Sequence, residues 1–267
     1  MKTRVHNLLL LLLPAALMGC SGEDAGGKAE ETGKTFLGID ACFSRSGENG
    51  EDSSLVEDFG MLLLDDAGSG YPEVENPVHV TYDGTWKYPE VTLTERKCNL
   101  YAFSPFMSIP GKELSLSIIP QTDYLVSDKT VLDWQNCLAS IEMGHLLSRL
   151  DFTIDGNDGC SLSIEDLPVS ATYDLVSGKL SAKANGTAVS STHTLLVFPG
   201  EVGGNRVRLQ AGGDSYDWYL PAATLESGKI YGYSLNLSKE GELVLSGVSV
   251  RPWEKGEDYT GTIKPNE

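Results

Sequence analysis

The sequence is short of positive charge, histidine, aromatic residues and helical periodicity, and each shortage narrows what the chain can be. Twenty Lys and Arg face 38 Asp and Glu, a formal net charge of −18. A surface of that sign repels phosphate backbones, so nucleic acid is not expected as a partner. Only four histidines occur, scattered at His6, His79, His145 and His193. No GxSxG elbow, HExxH pair, HxE with a downstream PCxxC, or SxxK is present, so the common hydrolase and metalloenzyme signatures are missing. No cofactor and no catalytic or metal-binding residue is assigned. His145, followed by Leu146, Leu147 and Leu150, is read as a partly buried, hydrogen-bonded imidazole. Asp155, Asn157 and Asp158 superficially match a calcium loop, but Gly159 stands where a ligand is needed; a hairpin turn is the simpler reading.

Long apolar runs are absent except at the start. Lys2 and Arg4 precede the Leu8 to Leu13 run, and Gly19 precedes Cys20. The apolar stretch falls short of the roughly 17 to 25 residues of a membrane-spanning helix, which makes it a secretory signal. The ending resembles a bacterial lipoprotein box, which implies cleavage after residue 19 and lipidation of Cys20, with Met18 departing from the usual small or branched residue. Two or three acyl chains hold a protein stably on a membrane without spanning it. Removal of residues 1–19 leaves 18 basic against 38 acidic residues. Residues 20–35, rich in Gly, Glu, Asp, Lys and Ala, form a flexible tether. The near Walker A at Gly22 to Lys28 is a decoy: Ala29 replaces the Ser or Thr that would hold magnesium, and no strand precedes it.

Cysteine is sparse too. Cys42, Cys98, Cys137 and Cys160 permit two disulfides in three connectivities or buried thiols, and no CxxC pair supports a metal or redox motif.

What is abundant is alternation. Leu37, Ile39, Ala41 and Phe43, then Leu114, Leu116 and Ile118, Phe152 and Ile154, Leu162 and Ile164, and Tyr231 to Leu237 repeat with a period of two, the mark of half-buried strands. Turns are expected at Asp65 to Gly68, Asp155 to Gly159, Asn185-Gly186 and Gly203 to Asn205. Leu243 and Leu245 lie on one phase and Val248 and Val250 on the other, so a bulge is expected near Gly247. One short helix is expected within Val131 to Ser140. The fold class is all-β, a sandwich or barrel architecture, split by size into an N-terminal domain at 36–139 and a C-terminal domain at 140–267.

Several ordered segments carry a family resemblance: Phe43-Ser44-Arg45, Val56 to Asp65 followed by Gly68, Leu100 to Phe106, Gly144 to Leu150, Gly228 to Tyr233, and Val250-Arg251-Pro252-Trp253. Together they resemble the fimbrillin-like lipoproteins of Bacteroidales, the shaft, anchor and tip subunits of donor-strand pili. The resemblance implies two tandem transthyretin-like β-sandwich domains and partnership with other pilus subunits. It also implies an outer-membrane, cell-surface location in a fimbrium, with a host or bacterial surface ligand as a further partner. Glu23 and Asp24 resemble the surface-export signal of the same group. In shaft subunits an arginine-specific protease removes the first strand. That would place cleavage at Arg45-Ser46, with Leu37, Ile39, Ala41 and Phe43 as the inward set of the displaced strand and Ser46 to Ser53 as an exposed loop. A neighbour's strand would then fill the groove. After Trp253 only Tyr259 and Ile263 are apolar anchors, so shaft, anchor and tip stay open. The alternative is a glycan-binding surface lipoprotein, with Trp86, Trp134 or Trp218 clustered as a stacking platform.

Overall fold

The computed structural model describes residues 33–46, 52–155, 160–211, 214–237 and 242–253. The first half lays down β1 (Thr35–Phe36), β2 (Gly38–Ser46), β3 (Asp52–Leu55), β4 (Asp58–Leu64), β5 (Val78–Tyr82) and β6 (Trp86–Lys87). It continues with β7 (Thr92–Leu93), β8 (Cys98–Ser104), β9 (Glu113–Ser117), β10 (Leu125–Ser127), β11 (Thr130–Leu132) and β12 (Leu138–His145). The second half holds β13 (Ser148–Asp155), β14 (Cys160–Asp174), β15 (Lys179–Ser190), β16 (Thr194–Val197) and β17 (Gly200–Val202). It ends with β18 (Arg206–Ala211), β19 (Asp214–Tyr219), β20 (Ala223–Leu225), β21 (Lys229–Leu237) and β22 (Leu243–Pro252). No helix occurs among the described residues.

A nine-stranded sheet runs β3-β2-β12-β10-β8-β4-β5-β6, with β11 added beside β8. Its central strands are apolar on both faces, as strands covered on both sides must be. Phe59, Met61 and Leu63 of β4, with Cys98, Leu100 and Ala102 of β8, enter a first core. Their alternate neighbours Leu62, Leu64, Tyr101 and Phe103 enter a second core. That second core is completed by a four-stranded sheet, β16-β13-β21-β22, and a five-stranded sheet, β15-β14-β18-β19 with β9 beside β14.

One glycine explains how β4 and β8 come close. Gly60 lies opposite Phe103, and a Cβ added to Gly60 would sit 2.3 Å from the Phe103 ring. The ring therefore lies across the space a side chain would occupy, which is why a glycine stands within this strand.

Several sequence expectations change here. The segment from Val131 to Ser140 is β11, a turn and the start of β12, not a helix. Asp133 Oδ1 accepts hydrogen bonds from the amides of Gln135 and Asn136, both 2.9 Å, and such an Asx turn competes with helix. Asn185-Gly186 lies inside β15, where the pairing with β14 shifts register. Asn185 Nδ2 donates to Asp166 Oδ1 at 3.1 Å, so this dipeptide marks an irregularity rather than a hairpin. The boundary expected at 139/140 cuts β12, which belongs wholly to the nine-stranded sheet, and β9 pairs with β14 although it was expected in the first domain. The expected bulge in β22 is present: Ser234 pairs with Gly247 and Leu235 with Leu245, leaving Ser246 extra.

Candidate functional site

The first long strand is seated between two others. On one side β2 runs parallel to β12, from Gly38↔Leu138 to Ser44↔Met143, and on the other it pairs antiparallel with the short edge strand β3. Its entry is pinned by main-chain bonds, Leu37 N to Val91 O at 2.9 Å and Gly38 N to Cys137 O at 2.8 Å. The Tyr88 hydroxyl donates to the Leu37 carbonyl at 2.8 Å.

A register shift divides the strand. Ile39 pairs with Ala139 and Ala41 with Ser140, so Asp40 is extra. An inserted residue reverses which face the following side chains occupy. Leu37 and Ile39 are buried as expected, but beyond the bulge Cys42 and Ser44 are buried while Ala41 and Phe43 are only half-buried. The inward set is therefore Leu37, Ile39, Cys42 and Ser44, and strict alternation from Leu37 to Phe43 is corrected. Burial pushes the Cys42 and Cys98 thiols up to about 12 each. Both are free thiols of the first core, where Cys137 is also buried.

Arg45 and Ser46 are the last residues of β2, paired with Ser53 and Asp52. The expected loop from Ser46 to Ser53 is thus shorter, because both its ends belong to the β2–β3 pairing. Cys20, the expected tether as far as residue 32, the near Walker A, residues 156–159 of the expected turn, and Tyr259 and Ile263 lie outside the described residues, whereas Thr35, expected to end the tether, already belongs to β1 and pairs with Leu93.

A second constellation gathers three of the segments that carried the resemblance. His145 Nδ1 lies 2.8 Å from Asp123 Oδ2, and the imidazole stacks on the Trp253 indole. The Arg149 guanidinium carbon stands 5.8 Å from the Trp253 ring centroid, in cation–π range. The Trp253 amide donates to Gly228 O at 3.0 Å, and the Gly228 amide to Leu147 O at 2.9 Å. The end of β22 is thereby fixed to the link between β12 and β13. Neither sequence alternation nor motif matching signals this cluster; only the order of the three segments hinted at a shared purpose. His145 meets the Asp123 carboxylate on one ring nitrogen and the Trp253 indole on its face.

Trp86 and Trp218 of the expected platform lie against different cores. Trp86 packs on Phe59 and Tyr82 against the first core, whereas Trp218 meets Tyr233 edge-on at 5.7 Å against the second. Trp253 is buried.

The described residues define an all-β protein of packed sheets, with β2 held between β12 and β3 and the end of β22 pinned beside the β12–β13 link. Residues 57–253 match the model of the fimbrillin-like family, and the chain belongs to that family. By family it is a structural protein of the fimbrial, cell-surface class, not an enzyme. Among solved structures, the fold is similar to the "putative cell adhesion protein" of Bacteroides uniformis, at 18% identity and TM-score 0.64 over 82% of this chain and 99% of that one. It is also similar to one of that description from Bacteroides ovatus, at 13% identity and TM-score 0.60 over 82% and 98%. A third, from Bacteroides fragilis, aligns at 14% identity and TM-score 0.54 over 83% and 99%. No curated protein sequence matches the chain.

Proposed function

We propose that this protein is a fimbrial subunit exported as a lipoprotein through Cys20 and assembled by donor-strand exchange with other pilus subunits. The supporting observation is the seat of β2. It supplies Ile39 and Cys42 to the first core, next to Leu37 just before it, yet among the described residues its sheet neighbours are β12 and the four-residue β3. Cleavage between Arg45 and Ser46 severs it at the β3 end. Its departure exposes the main-chain edge of β12 and the core faces of Ile141 and Met143. A neighbour's extended strand satisfies that edge with main-chain hydrogen bonds and fills the groove with alternate side chains. The incoming strand must offset about 1.5–3 kcal/mol for each large apolar side chain withdrawn. Uncut, the same chain stays on the outer membrane as a lipid-anchored base. A two-domain division, with the change of domain in the link between β12 and β13, fits this assembly.

The test is treatment of the purified chain with an arginine-specific protease, N-terminal sequencing, and mixing with cognate subunits. A new terminus at Ser46 and detergent-resistant ladders are expected. An intact Arg45-Ser46 bond, with no ladders, would reject exchange while leaving family membership untouched.

A further inference from the structure

On β12 the side chains divide by parity. Ala139, Ile141 and Met143 enter the first core, so Ser140, Glu142 and Gly144 point away from it. They form one wall of a cleft of about 620 Å³, whose other walls are the turn between β10 and β11, carrying Asp128 and Lys129, and the β14–β15 hairpin, carrying Tyr173. The volume falls in the roughly 300–1,000 Å³ range of small-molecule sites.

Three features define what the cleft can hold. Gly144 stands inside a strand with no heavy atom within 4 Å of the position its Cβ would take. A glycine that no neighbour requires leaves the wall open to close approach by a ligand. The charges are two carboxylates, Asp128 and Glu142, against Lys129, within a chain of net charge −18, which disfavours an anion. Tyr173 offers a half-buried ring, and burial together with the nearby Asp128 and Asp174 charges pushes its hydroxyl upward, so it remains a donor at neutral pH. A half-buried tyrosine packed on the second core, lining the same cleft as carboxylate acceptors and hydroxyls, suits a polyhydroxylated ring, whose apolar side can pack on an aromatic while its hydroxyls meet the polar groups.

We propose that this cleft is a binding site for a short neutral saccharide, stacked on Tyr173 and hydrogen-bonded by Asp128, Ser140 and Glu142. The site goes beyond the role of fimbrial subunit and is independent of strand exchange, because β2 contributes nothing to the cleft wall. It also differs from the tryptophan platform expected from sequence, since none of the four tryptophans lines it.

The experiment is calorimetric titration of the full chain in detergent with neutral tetrasaccharides (mannotetraose, cellotetraose, galactotetraose and a lactosamine repeat), with a sulfated heparin tetrasaccharide and tetralysine as contrasts. Saturable binding of a neutral sugar is expected, weakened at least about tenfold by Gly144→Leu, which fills the open wall, with an unchanged unfolding midpoint. Should Gly144→Leu fail to fold, the exposed Glu142→Ala serves in its place with the same expected loss. The proposal is overturned if no neutral sugar binds at about 10 mM, if only heparin or tetralysine binds, or if the variant binds as the parent does. Ladder formation by the parent chain, with and without saturating sugar, should be the same, which separates failure of this site from failure of assembly.

Discussion

The imidazole of His145 lies flat on the indole of Trp253, with ring centroids 4.0 Å apart and planes 4° from parallel. One ring ends β12 and the other follows β22, so the contact joins the end of an interior strand of the nine-stranded sheet to the last described residue. Both residues are buried. Trp253→Ala leaves a cavity at this joint and is expected to cost about 3–5 kcal/mol, as truncation of large buried aromatics does. Denaturant unfolding measures the loss; a midpoint unchanged from the parent would show that the joint carries little of the stability.

Overpacking provides the second check. Gly60→Ala drives a methyl group into the Phe103 ring, which is fully buried and has no free space to enter. Destabilisation of about 1–3 kcal/mol is expected. The double variant Gly60→Ala, Phe103→Leu should recover part of that loss, an outcome readable as coupling in a double-mutant cycle.

The first strand makes a kinetic prediction. In the intact chain Cys42 and Cys98 are fully buried and resist a thiol reagent at pH 8. After cleavage at Arg45-Ser46 and release of β2, Cys98 should react while Cys42 departs with the peptide. Arg45→Ala should abolish both events under the same protease. Equal Cys98 labelling before and after cleavage would argue that β2 remains seated.

Alkaline stability follows from the same thiols. Their folded values near 12 lie above the ordinary 9.0, so the native state holds protons that the unfolded chain releases above pH 9. Their contribution is complete below pH 9 and is lost as pH rises toward 12, by up to a few kcal/mol per thiol. Burial also raises Tyr88 and Tyr233, which act in the same direction. Cys42→Ala with Cys98→Ala should therefore flatten the alkaline decline without removing it, as read from urea midpoints between pH 8 and 11.

Lipidation is checked by metabolic labelling with radioactive palmitate. The parent should carry label and fractionate with the outer membrane, and Cys20→Ala should carry none.

Much of the strand content was legible because alternation is local. Leu114 and Leu116, Phe152 and Ile154, Leu162 and Ile164, and Tyr231, Tyr233 and Leu235 are all buried strand residues. The β22 irregularity was legible because the apolar phase changes beside Gly247. The bulge at Asp40 was hidden, since Ala41 and Phe43 continue the apolar alternation even though the strand has turned over and placed Cys42 inside. Asp133 defeated the expected helix through a side-chain turn that spacing does not reveal. Glu113–Ser117 was recognised as a strand but not as a member of the second core, because its partner β14 lies some 50 residues later. The cleft and the His145–Trp253 stack depend on such distant pairings, so neither could be read from any single segment.

The parallel pairing of β2 with β12 also bears on the order in which the protein is made. Ile39 finds Ala139 only after about a hundred further residues have been synthesised, and no hairpin can bring parallel neighbours together sooner. A chain that emerges N-terminus first therefore has β2 paired with β3 alone, its β12 side still open, while β4, β5 and β8 pair among themselves. The strand that enters last closes the sheet from outside. The free side of β12 is thus the last main-chain edge of this sheet to be satisfied, by a segment made about a hundred residues before it.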